Sequence, residues 1–160
     1  GARISDEFMY ASEDVQLDYL TQFSEGWAKK LARGFDIMAM HGFNPRTRTA
    51  STVIGTNHLD TVTQIVTEAS GVTPDDNVEA AIALVQGNER DVNGIVMAPA
   101  FRSSLAALKT TDGHKMYPEL SWGSNPGIIN GLLADSNSTV SIASGLDRAI
   151  VGDFATVGLC

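Results

Sequence analysis

The hydrophobic pattern of this chain changes character part-way along it. From about Ser12 to Met40, Leu20, Phe23, Trp27, Leu31, Phe35 and Met38 recur at steps of three or four, which gathers large apolar groups on one stripe of a helix. Gln22, Glu25, Lys29, Lys30 and Arg33 fall on the other side. Acids at the start (Glu13, Asp14, Asp18) and bases toward the end (Lys29, Lys30, Arg33) complement the helix macrodipole. Gly42 closes the pattern. At 1.5 Å per residue, a continuous helix from Val15 to Met40 is a rod of roughly 39 Å, about three times the radius of gyration of a 100-residue domain. Such a helix either lies across its own sheet or acts as a spine for other parts of an assembly to pack on.

Beyond it, Phe43 to Thr52, with Pro45 and a run of Thr and Ser, reads as an exposed loop or mobile linker. Val62, Ile65 and Val66 alternate partly with polar residues, which predicts a strand from Thr61 to Thr67 or else a short helix. Thr73 as N-cap, Pro74 at the first position, Asp75 and Asp76 in the first turn and Val78, Ala81, Ile82 and Val85 on one face predict a helix stopped by Gly87. Gly94 to Ala98 predicts a strand buried on both faces, and Pro99 opens a helix to about Leu108. The predicted order is thus strand, helix, strand, helix. Between Thr110 and Gly131, Asp112-Gly113, Pro118, Gly123, Pro126 and Gly127 break any regular period. A strand near Ile129 to Leu133, a turn from Asp135 to Thr139 and a strand at Ala149 to Phe154 complete the pattern.

Composition narrows the function classes. A chain of 160 residues fits one domain, or one and a part, and buries a core without staples. The single cysteine, Cys160, excludes an internal disulfide and argues for a reducing compartment. Nineteen acids against eleven bases give a net charge of -8, with the excess concentrated in residues 61–160. That balance lacks the basic patch that phosphate backbones require, so direct nucleic-acid binding is not expected; Arg46 and Arg48 are a local exception. No apolar run has membrane-span length and no signal peptide is visible, so the expectation is a soluble protein made inside a cell.

Catalytic patterns are missing. His41, His58 and His114 are scattered and read as surface or cap residues, with His41 suited to the last carbonyls of the long helix. The stretch from Gly123 to Gly131 is neither a dinucleotide fingerprint nor a phosphate loop, and no serine sits in a nucleophile elbow. Adjacent acids such as Asp75 and Asp76 are explained by helix N-termini. The sequence therefore predicts no enzyme, no catalytic residue, no cofactor and no metal.

With these elements in order, the chain resembles the middle of a tailed-bacteriophage major capsid protein of the Hong Kong 97 type. Ser5-Asp6-Glu7-Phe8 precedes a long helix ending Phe35-Asp36-Ile37-Met38-Ala39-Met40-His41-Gly42, similar to the family's spine helix. Gly94-Ile95-Val96-Met97-Ala98-Pro99, followed by Leu105 to Lys109, is similar to the strand and helix of its axial domain. Asp112-Gly113-His114-Lys115-Met116-Tyr117-Pro118 resembles its Asp-Gly turn, and Ile150-Val151-Gly152-Asp153-Phe154 its Gly-Asp-Phe strand.

The resemblance implies an α+β fold, with a spine helix in a part of the peripheral domain (residues 1–54) and a mixed-sheet axial domain flanked by helices (residues 55–160). The family's N-terminal arm, extended loop and further peripheral strands have no counterpart here, which implies a piece of a longer subunit, and no catalytic residue carries over. The implied function is a shell subunit that self-assembles into pentamers and hexamers of an icosahedral head of a phage or prophage, in the host cytoplasm and then the virion capsid. Scaffold and portal proteins are the implied further partners, with no membrane and no sequence-specific nucleic acid. Leu20, Phe23, Trp27, Leu31, Phe35 and Met38, with Asp112, Gly113, Tyr117 and Trp122, form the expected assembly surface. The Asp112 to Gly131 segment is either a tip at the capsomer axis or an ordinary connection. Two rivals stand beside this reading: an encapsulin-type compartment shell, and a small α/β enzyme or binding domain using the Gly94 to Pro99 strand end with His114, Asp112 or Glu119.

Overall fold

The structure is a computed structural model that describes residues 6–122, 125, 127–142 and 147–156. A short helix α1, Asp6–Met9, turns into the long helix α2, Glu13–His41, an unbroken 29 residues. The Phe8 and Tyr19 rings meet tilted at 57° with centroids 5.0 Å apart, and the Gln16 side chain donates to the carbonyls of Phe8 and Ala11, so the turn between the helices is tied at both sides. Gly42 ends α2 in the left-handed region at φ 65°, its N–H donating to the Met38 carbonyl.

Helix α3, Pro74–Gln86, begins as the sequence predicts, with a capping box in which Thr73 and Asp76 satisfy each other's backbone N–H. Strand β1, Gly94–Met97, leads through Ala98 into helix α4, Pro99–Ala107. Strands β2, Gly127–Ile129, β3, Leu132–Ser136, and β4, Ala149–Gly152, complete a four-stranded sheet in the order β2-β3-β1-β4. β1 runs parallel to β3 and antiparallel to β4, while β2 and β3 form an antiparallel hairpin. This is the mixed α+β architecture the sequence predicts.

Side-chain alternation gives the sheet two different faces. Ile95 and Met97 of β1, Ala134 of β3 and Ile129 of β2 pack with Phe101 and Leu105 of α4, and Val78 of α3 joins them. Val96 and Ile150 point the other way, toward Met40, Val140 and Leu59. Two independent packing layers therefore meet at β1, which explains its apolar run. Beyond the sheet, the Phe154 ring lies on Gly94, where a Cβ would sit 2.9 Å from it. The Asn93 side chain fixes this corner: its Nδ2 donates to Asp153 Oδ1 and its Oδ1 accepts from the Phe154 N–H at 2.9 Å. The Gly-Asp-Phe segment thus has a packing role.

Three expectations are corrected. Residues 62–69 form no strand; Val62 and Ile65 are exposed, Ile65 at 72%, because no neighbouring strand offers ladder partners. The order along this stretch is therefore helix, strand, helix. The strand expected at Ile129 to Leu133 is two strands, folded at Asn130-Gly131, whose φ values of 46° and 86° are those of a two-residue hairpin turn. The turn expected from Asp135 begins later, since β3 runs to Ser136 and a 3-10 turn spans Ser138–Ser141.

Candidate assembly surface

Helix α2 is attached to the rest of the chain mainly through its last turn. Ile37, Met40 and His41 are the buried residues of the helix, with Met40 inside the cluster formed with Ala98 and Val140. Asp36 accepts a hydrogen bond from the Asn137 amide at 2.7 Å, and the Thr139 hydroxyl contacts Met40 Sδ. Thr139 and Val140 are fully buried, so the 3-10 turn after β3 forms the socket into which the helix end fits.

His41 completes this clasp, and its role differs from the expected one. It is 1% exposed, and its ring contacts no helix carbonyl. Nε2 lies 2.6 Å from the carbonyl of Thr139, 98 residues further along, and Nδ1 lies 2.8 Å from Asp60 Oδ2. The cap role fails because Gly42 turns the chain and satisfies the helix end with its own N–H, leaving the imidazole to point inward. Asp60 belongs to a single 3-10 turn, Leu59–Thr61, and Asp147 precedes β4; one ligand atom from each of His41, Asp60 and Asp147 lies within 4.8 Å of the others. Nothing in the local sequence signals this convergence, since the three residues come from distant segments.

The expected stripe faces elsewhere. At about 100° per residue, Ile37, Met40 and His41 lie roughly a third of a turn around from the line through Leu20, Phe23, Trp27, Leu31, Phe35 and Met38. Leu20, Phe23, Trp27, Leu31 and Phe35 are between 45% and 59% exposed, and Met38 is half-buried. These side chains form one continuous apolar line over five helical turns, at spacings where neighbours touch. A polar chain of this kind rarely leaves such a line in water.

The other expected residues sit on a separate segment. Lys109 and Lys115 bridge across a small hairpin whose tip carries Asp112 and Gly113, the latter at φ 84° with open space around it. Tyr117 turns inward instead and packs against the main core. Burial raises its phenol pKa above the ordinary value, and the carboxylates of Asp75, Glu79, Glu119 and Asp76 add to the effect. Trp122 is 93% exposed. Gly123 and Pro126, part of the expected tip, lie outside the described residues.

Two clefts accompany the sheet. One of about 410 Å³ is lined by Arg102, Ser103, Ala106, Ala107, Lys115, Leu120 and Trp122. The other, about 210 Å³, lies over Gly94, Leu133 and Phe154. His114, Asp112 and Glu119 line neither of these two clefts. Among the described residues, no helix is long and apolar enough to cross a membrane.

With this geometry in place, solved structures supply a comparison. A chain from Mycobacterium phage Ogopogo superposes with a TM-score of 0.77 at 29% identity, over 96% of this chain and 55% of that one. The fold is shared with phage proteins. A chain from Gordonia phage Cozz matches at a TM-score of 0.61 and 20% identity, over 94% of this chain and 49% of that one, which extends the likeness of fold. This chain thus spans about half the length of the structures it matches. No protein-family model and no curated protein matches the sequence.

Proposed function

We propose that this chain is part of a shell subunit, a major capsid protein of the Hong Kong 97 type, which acts by assembly and not by turnover. The observation that carries the proposal is a 29-residue helix held by its last turn, with an apolar line left in water. Full burial of a large apolar side chain is worth about 1.5–3 kcal/mol, so covering five that are half exposed contributes about 5 kcal/mol per helix. Repeated at every copy of a closed shell, weak contacts of that size add up to a stable particle. The phage origin of the structural neighbours favours a viral head over an encapsulin-type compartment. In this reading the partners are further copies in pentamers and hexamers, with scaffold and portal proteins during assembly in the host, and the mature location is the virion capsid.

Expression of the full-length gene product in bacteria, followed by electron microscopy, tests this. Icosahedral particles are expected, and Trp27→Glu with Leu31→Glu abolishes them while leaving the helical circular-dichroism signal and the Tm of the subunit within a degree or two. A monodisperse monomer from the full-length product, or particles that tolerate both charges, overturns it.

A further inference from the structure

The buried clasp of α2 has the composition of a cation site, and we infer that His41, Asp60 and Asp147 bind a divalent transition-metal ion of the zinc class. The inference stands apart from the shell reading. Nε2 of His41 lies 2.6 Å from the Thr139 carbonyl. A carbonyl only accepts, so Nε2 carries hydrogen, and the neutral ring presents its lone pair at Nδ1. That lone pair meets Asp60 Oδ2 at 2.8 Å, where two acceptors face each other unless a positive charge lies between them. A proton answers that need for one carboxylate. The Asp147 carboxylate also converges, its ligand atom within 4.8 Å of the other two, and brings a third donor to the same spot beside the fully buried imidazole. One divalent cation takes the ring nitrogen and both carboxylates as ligands together, which a proton shared by His41 and Asp60 does not.

The geometry suits such an ion. With bonds of roughly 2.0–2.2 Å, two ligand atoms of a tetrahedral metal stand about 3.4 Å apart, so Nδ1 and Oδ2, now at 2.8 Å, part by about half an ångström to admit it. The Thr139 carbonyl holds the ring from behind, as the second hydrogen-bond partner of a ligating histidine does. One imidazole nitrogen with two carboxylate oxygens suits Zn²⁺ or Co²⁺ over Mg²⁺, which demands an oxygen shell. The Asp60 side chain is 30% exposed, so solvent and the ion reach the site from that side. The bound ion would join the end of α2, the Leu59–Thr61 turn and the segment before β4.

The test uses the 160-residue chain freed of metal by a chelator. Zn²⁺ at a hundredfold excess over its dissociation constant raises Tm by about 5–10 °C for a chain of this length. Co²⁺ does the same and gives a visible absorption band, whereas Mg²⁺ does neither. Asp147→Asn and Asp60→Asn each lose most of the shift, and His58→Gln and His114→Gln keep it. If a variant fails to fold, calorimetric titration of the unaltered chain decides alone: one Zn²⁺ per chain supports the site, and no binding overturns it. A Tm shift that survives Asp147→Asn, or follows His58 or His114, overturns it as well.

Discussion

Gly42→Ala is the sharpest probe of how the long helix joins its domain. The residue sits at φ 65°, where an L side chain is strained by about 1 kcal/mol or somewhat more, and its absent Cβ would lie 2.4 Å from His58 Cδ2 and 2.9 Å from Cγ. His58 is half-buried and its Nδ1 has no hydrogen-bond partner among the described residues, so packing holds the ring, which must shift to admit a methyl. Overpacking of this kind costs about 1–3 kcal/mol. The sum is about 3 kcal/mol, or a fall in Tm of about 6–12 °C for a chain of this length. Gly55→Ala is the control, because Gly55 has a similar φ of 59° and nothing within 4 Å of its Cβ position. It should fall by about 2–4 °C, the cost of the backbone strain alone. Thermal melts of the two variants, with His58→Ala and the Gly42→Ala/His58→Ala double variant, form a cycle in which the excess at Gly42 disappears once the ring is removed. Equal losses at Gly42 and Gly55, or no rescue by His58→Ala, would show that the helix end is not fitted against His58.

Two further outcomes follow from titrating groups. Tyr117 has its phenol pKa raised by burial and nearby carboxylates, so its share of stability is complete below the ordinary tyrosine value and is lost as pH climbs through the higher folded one; absorbance near 295 nm should show a phenol step above the ordinary tyrosine value, and Tyr117→Phe should remove that step. Asp76 has its pKa lowered by the Thr73 hydroxyl and backbone N–H, so its contribution is present above the ordinary aspartate value and fades as acid takes the pH through the lower folded one; Asp76→Asn should flatten the acid side of a Tm-against-pH curve, and Thr73→Ala should cost about 1 kcal/mol at neutral pH.

Local rules in the sequence were enough for elements whose stability is local. The α3 start is legible because Thr73, Pro74 and Asp76 satisfy the first backbone groups of their own helix, and the predicted face of Val78, Ala81, Ile82 and Val85 is the half-buried side. Strand β1 is legible because both its faces are apolar. Residues 62–69 mislead for the opposite reason: β-branched residues suit a strand, but a strand exists only where a neighbour completes its ladder, and that is decided elsewhere in the chain. The hairpin at Asn130-Gly131 had a usable local signal, the Asn-Gly pair between apolar runs, which the expectation of one strand passed over. Of the candidate surface, the stripe on α2 was readable as a periodicity, whereas the inward turn of Tyr117 and the convergence of His41, Asp60 and Asp147 depend on contacts that no spacing encodes.

Why the helix carries two distinct faces follows from its own energetics. Isolated helices are marginal in water, and α2 also contains Gly26 and Gly34, each costing about 1 kcal/mol relative to alanine in a helix interior. The face that docks on the domain is spent in the last turn, at Ile37, Met40 and His41, and continues backward through Arg33 and Lys30, which are exposed and charged. Extending the same contact along the helix would desolvate those charges, so this chain's own sheet is not a partner that its remaining length can use. The apolar line a third of a turn away is the other route by which the upper turns gain packing energy, and this chain leaves it uncovered. A helix that is clamped at one end and apolar along a different edge is suited to transmit a fixed direction from its own domain into a neighbouring body, and under the proposed shell role that body is another copy met at a defined angle.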